Sequence, residues 1–131
     1  MEEKESIKLP STTELVYLIL GLTFIKHNLS CIARADVYSG FKKLRDEFPE
    51  YFQDFYFTVK GGQYYARELE DVLSHLGNMF NCSSPTFSGM SFHSGALKIV
   101  EEKFVEWIPD KKMRVFVEKM AQKFFEGIGK A

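Results

Sequence analysis

Apolar side chains recur at helical spacing over most of the chain. After a polar stretch ending at Pro10, the residues Leu15, Leu18, Ile19, Leu22, Ile25 and Leu29 mark one face of a helix. Val16, Tyr17, Leu20 and Phe24 make its other faces apolar as well, so it is predicted to be central and covered on more than one side. Ser11 and Glu14 have capping-box spacing, in which each side chain satisfies an orphan N–H at the helix start.

A break at Asn28 to Ser30 precedes a second predicted helix from about Ile32 to Phe48, with the stripe Val37, Phe41, Leu44 and Phe48, stopped by Pro49. The period then changes. Phe55, Phe57 and Val59 alternate with Tyr56 and Thr58, the pattern of a short strand, and Gly61-Gly62 supplies a turn. A third helix is expected from about Tyr64 to Phe80, burying Tyr65, Leu69, Val72, Leu73, Leu76 and Phe80. Thr86-Phe87 and Ser91-Phe92, around Ser88-Gly89, predict a small β-hairpin. Leu97, Val100, Phe104 and Trp107 form a fourth helical stripe ending at Pro109. A last helix, capped by Asp110, carries Met113, Phe116, Val117, Met120, Phe124 and Ile128. The expected fold class is mostly α with a small β-hairpin: a flexible tail over residues 1–10 and one domain over 11–131, without repeats or a long linker.

Composition alters this picture in few places. Of 131 residues 15% are aromatic, with 13 Phe and 6 Tyr, enough ring surface for an independent core. The net charge of −1 gives no global field to attract nucleic acid or anionic lipid, so any polyanion partner needs a local patch. Cys31 and Cys82 are the only cysteines and form no Cys-x-x-Cys pair. Two reduced thiols are expected, with a Cys31–Cys82 disulfide left open. The acidic N-terminus is unlike a leader peptide. The apolar run Leu15 to Ile25 is about half the ~20 residues of a membrane span. A cytoplasmic protein without membrane contact is the expectation.

From Phe55-Tyr56-Phe57 and Gly61-Gly62 into Tyr65-x-x-x-Leu69, then Leu73 and Leu76, and on through Ser91-Phe92-His93-Ser94-Gly95-Ala96-Leu97, the chain resembles winged-helix proteins of phage-associated and archaeal regulator type. The resemblance covers about residues 55–102. It departs from that pattern where Gln63-Tyr64 separates Gly62 from Tyr65. It implies a winged-helix-like core with additional C-terminal helices, and a small DNA-binding regulator acting without cofactor, as a dimer on double-stranded DNA. The third helix would then read the major groove.

The charges divide that expectation. On the third helix Arg67 is the one residue suited to a bidentate base contact, against Glu68, Glu70 and Asp71. An Arg67–Asp71 pair at i,i+4 is an equally good use of it. Arg34, Lys42 and Arg45 fall within an arc of about 80° on the second helix, with Lys43 further round, and are the expected phosphate contacts. Residues 110–131 hold six cations against three carboxylates. The predicted hairpin tip, Ser84 to Gly89, carries no Lys or Arg.

No catalytic arrangement emerges. His27, His75 and His93 have no metal-ligand spacing, Gly61-Gly62 lacks phosphate-loop spacing, and Ser88-Gly89 lacks the flanks of a nucleophile elbow. No enzyme, metal or cofactor is expected. The alternative to DNA binding is a protein–protein interaction module that keeps the fold without its nucleic-acid function. Its partner surface would use Tyr56, Tyr64 and Tyr65 near the Gly-Gly turn, and the Met113, Phe116, Met120 and Phe124 stripe as a dimerisation arm.

Overall fold

A computed structural model of the chain describes residues 11–29, 31–75, 79–84, 87–92 and 94–128. The expected polar tail, His93 and the residues joining the third helix to the hairpin lie outside them. The architecture is mostly helical with a small antiparallel hairpin. Helix α1 (Thr12–His27) starts at the predicted capping box: Glu14 N–H donates to Ser11 Oγ at 3.2 Å and Ser11 N–H to Glu14 Oε1 at 3.1 Å. It ends on Asn28, whose φ of 51° is the left-handed conformation that short polar side chains tolerate. Leu15 through Gly21 are all buried, as an all-round apolar helix requires. Thr23, also buried, donates its hydroxyl to Ile19 O at 2.7 Å.

The centre of α1 is covered by α4 (Ser94–Trp107) and α5 (Lys111–Gly127), and α5 also packs on α2 (Arg34–Glu47). Two glycines set these approaches. A Cβ on Gly21 would collide with Val100 of α4, and one on Gly40 would collide with the Phe124 ring of α5. The predicted start of α2 is corrected: Ile32–Ala33 form a short strand, β1, and the helix begins at Arg34. β1 pairs with β5 (Phe87–Phe92), and β5 pairs with β4 (Met79–Ser84), giving the antiparallel order β1-β5-β4. Phe92 carries the sheet into the core, its ring 5.1 Å from Phe24 and 6.0 Å from Tyr17.

Between α2 and the third helix stands a second hairpin, β2 (Thr58–Lys60) and β3 (Gln63–Tyr65), turned by Gly61 and Gly62 at φ 58° and 80°. The sequence gives the turn correctly but assigns Tyr64 and Tyr65 to a helix. Their backbone groups instead pair with Thr58–Lys60, so α3 (Arg67–Ser74) is shorter than expected, and Phe80 falls in β4.

Two further expectations change. The Met113, Phe116, Met120 and Phe124 stripe faces inward: Met120 and Phe124 are buried, Phe124 lies 4.8 Å from Phe41, and Phe116 meets Phe48 and Tyr51 edge-on. Its buried members pack within one chain, with Met113 and Phe116 partly buried against the same core. Cys31 is disulfide-bonded, against the expected pair of reduced thiols. Such bonds persist in oxidising surroundings and are uncommon in a reducing cytosol. No helix among the described residues is long and apolar enough to cross a membrane.

Candidate functional site

The α2–α3 corner and the β2–β3 hairpin hold most of the residues singled out from the sequence, and the structure gives them unequal roles. Arg34 opens α2 and donates from Nη2 to Glu70 Oε2 on α3 at 2.8 Å. Its Nη1 is shielded from solvent with no acceptor. Tyr38, one turn along α2, donates its hydroxyl to Glu70 Oε1. Burial, then this hydrogen bond, pushes the Tyr38 phenol well above its ordinary range. The same bond from Tyr38, seconded by Arg34, holds the Glu70 carboxyl below its ordinary value despite partial desolvation.

Arg45 is also internal. Its Nε donates to Phe55 O at 2.7 Å, at the foot of the hairpin. Lys42 pairs with Asp46 at 2.6 Å and lies 5.3 Å above the Tyr64 ring. Lys43 pairs with Glu47 at 3.0 Å, which raises the ammonium and lowers the carboxyl from their ordinary values. Among the five predicted phosphate and base contacts, only Arg67 has no partner among the described residues. It is exposed, and the Arg67–Asp71 pair expected at i,i+4 does not form. Two exposed lysine pairs of this kind are weak and yield readily to a competing anion. Arg34 and Arg45 are different, since releasing them would loosen the joint between α2, α3 and the hairpin.

The acidity of α3 follows from the same geometry. Glu70 anchors Arg34 and Tyr38, while Glu68 Oε1 accepts the Tyr56 N–H at 3.2 Å. The foot of the hairpin is therefore clamped from both sides, by Arg45 on the Phe55 carbonyl and Glu68 on the next amide. Beyond this clamp β3 lies against α2, and the outer face of the hairpin is exposed. Val59 and Tyr64 are cross-strand partners and share a face, 65% and 40% exposed, and Tyr56 at the foot is 66% exposed. Phe57 braces Tyr64 edge-on at 6.5 Å. Tyr65 turns inward toward Tyr38 at 5.6 Å and lies under the Lys60 ammonium.

A cleft of about 440 Å³ opens beside Tyr56, lined by the carboxylates Asp54, Glu68 and Asp71 together with Thr12, Thr13 and Val72. Asp54 and Asp71 are exposed with no cation paired to either among the described residues. Sequence reasoning found the rings but missed the cleft, because Thr12, Asp54 and Asp71 meet only through the packing of α1 and α3. His27 stacks flat on Phe125 at 3.5 Å, and His75 Nδ1 lies 2.7 Å from Asp71 O, so both histidines have local partners. Among the described residues no group of three or more His, Cys, Asp or Glu side chains is placed to hold a metal ion. No protein-family model matches this chain, and comparison with curated proteins finds no relative.

Proposed function

We propose that this chain is a non-catalytic protein-interaction module with a winged-helix-like core, which presents the β2–β3 hairpin to another protein. The observation that carries the reading is the exposure of Tyr56, Val59 and Tyr64 on a hairpin whose foot is clamped by Arg45 and Glu68. Rings held in place lose little conformational freedom on binding, which is why tyrosines anchor interfaces. The acidic cleft beside Tyr56 suits a partner segment that combines apolar residues with Lys or Arg. The order of α2, α3 and hairpin β4–β5 supports the winged-helix resemblance.

Double-stranded DNA is the less favoured partner for the same electrostatic reason. Phosphates approaching α3 would meet Asp54, Glu68 and Asp71 against the single cation Arg67, and Arg34 and Arg45 are committed elsewhere.

Two measurements decide between them. In fluorescence anisotropy with mixed-sequence duplex DNA at low salt, no saturable binding is expected. A photo-crosslinking residue at Tyr56 should yield one defined protein adduct in expressing cells, absent when it replaces Glu50, and lost when Val59→Ser and Tyr64→Ser are added. Saturable DNA binding that falls steeply with salt and disappears in Arg67→Ala would overturn the proposal.

A further inference from the structure

The outer faces of α4 and α5 carry opposite charge around isolated exposed valines. On α4, Val105 is 56% exposed and is surrounded by Glu101, Glu102 and Glu106, with Lys98 at the start of the same face. On α5, Val115 is 61% exposed between Lys111, Lys112 and Lys119. At ~100° per residue these side chains fall on one side of each helix, opposite the buried Val100 and Phe104 on α4 and Val117, Met120 and Phe124 on α5. Among the described residues Glu101, Glu102, Lys111, Lys112 and Lys119 enter no ion pair, and Glu106 has only Lys103 at 3.4 Å. Two adjacent helices of one chain thus present complementary faces that the chain itself leaves unmatched.

We propose that these faces join two copies of the chain, with α4 of one protomer antiparallel to α5 of its partner, and the same contact repeated by the two-fold axis. The register follows from the ~1.5 Å rise per residue. Setting Val105 against the partner's Val115 brings Glu102 within one residue's rise, about 1.5 Å, of the partner's Lys119. Glu106 then lies about half a turn from the partner's Lys112. Lys98, the one cation on the acidic face, falls between the partner's Glu118 and Glu126. The antiparallel arrangement therefore sets Lys98 among carboxylates, and the partner's Glu118, level with Glu102, shares the neighbouring Lys119. It also roofs the cleft of about 420 Å³ between α4 and α5, whose floor is Leu22, Ile25, Phe104 and Ala121 and whose rim includes Val105. A self-complementary patch of this kind closes as a dimer rather than a filament. This surface lies on the other side of α5 from the inward Met113 to Phe124 stripe, and it does not depend on the hairpin.

Sedimentation equilibrium over a range of protein and salt concentrations tests the contact. The expected result is a monomer–dimer equilibrium at low salt that weakens as salt rises. Lys119→Glu and Glu102→Lys should each weaken the dimer by about tenfold or more, and the double variant should recover most of the loss. Circular dichroism confirms that each variant stays folded, since both positions are on exposed faces. A monomer at every concentration in low salt overturns the proposal, as does a dimer indifferent to both reversals or a double variant weaker than either single one. Loss of the dimer in a Tyr56→Ser, Val59→Ser variant would assign self-association to the hairpin and overturn it too.

Discussion

Arg34 and Tyr38, one turn apart on α2, grip the two oxygens of the Glu70 carboxylate on α3. This contact ties α3 to α2 alongside α3's short apolar stripe. Glu70→Gln keeps the shape and an acceptor but removes the anion, leaving the Arg34 charge without its counter-ion while its Nη1 stays shielded. A loss of about 1–2 kcal/mol is expected in urea unfolding, the lower part of the range for charged hydrogen bonds because the pair is about one-third exposed. Asp71→Asn on the exposed side of α3 should stay within about 0.5 kcal/mol of the parent.

The same carboxylate makes stability depend on pH with a definite sign. Tyr38 first, and Arg34 second, hold Glu70 below its ordinary value of 4.5, so the unfolded chain takes up the proton more readily than the folded one. The contribution is complete above the unfolded value and is lost as pH falls through the folded one. The stability gap between the parent and Glu70→Gln should therefore be constant near neutrality and narrow steadily below about pH 4. A gap that widens in acid would mean that Glu70 is not the anion of this joint. On the alkaline side Tyr38 is raised above its ordinary 10.0, chiefly by burial. Its contribution is present below that value and lost as pH rises further, and ultraviolet titration should show a phenol that ionises above the ordinary range and is missing in Tyr38→Phe.

Gly40 and Gly95 both lie on helices, and alanine should affect them in opposite directions. A methyl group on Gly40 overlaps the Phe124 ring and approaches the backbone of α5, whereas one on Gly95 meets nothing. Helix propensity favours alanine by ~1 kcal/mol at an interior site, but forced overpacking costs about 1–3 kcal/mol. Gly40→Ala should lower Tm, and Gly95→Ala should leave it unchanged or raise it slightly. If Gly40→Ala is neutral, α2 and α5 are not in the close contact described.

The helices were legible in the sequence because each depends on a local signal. Ser11 and Glu14 start α1, Pro49 and Pro109 follow the ends of α2 and α4, and Asp110 caps α5 by accepting the Lys112 N–H at 2.8 Å. The strands were harder to read because strand pairing is not local. Ile32 and Ala33 continue a helical pattern until β5 arrives to pair with them, and Tyr64 and Tyr65 fit a helix until Thr58–Lys60 folds back. The surroundings of the candidate site were hard to read for a related reason. Arg34, Lys42 and Arg45 do share a helix arc, but charge spacing does not reveal that Glu70 and the Phe55 carbonyl will occupy the two arginines. The inward direction of the Met113 to Phe124 stripe was equally hidden, since one amphipathic stripe serves a core or a partner alike.

The disulfide at Cys31 ties down the segment between α1 and β1, immediately before the short strand that joins the sheet to the helices. A cross-link limits the freedom of the unfolded chain, and removing one from a small domain typically costs about 2–4 kcal/mol. Cys31→Ser should lower the urea midpoint by a corresponding amount. A reducing agent should lower Tm in the parent toward that of Cys31→Ser and leave the variant unchanged. The helix signal in circular dichroism should persist in both below their transitions, because α1, α4, α5 and α2 share a buried core to which Cys31 itself does not belong. A parent protein whose Tm is insensitive to reduction would show that the bond is absent in solution.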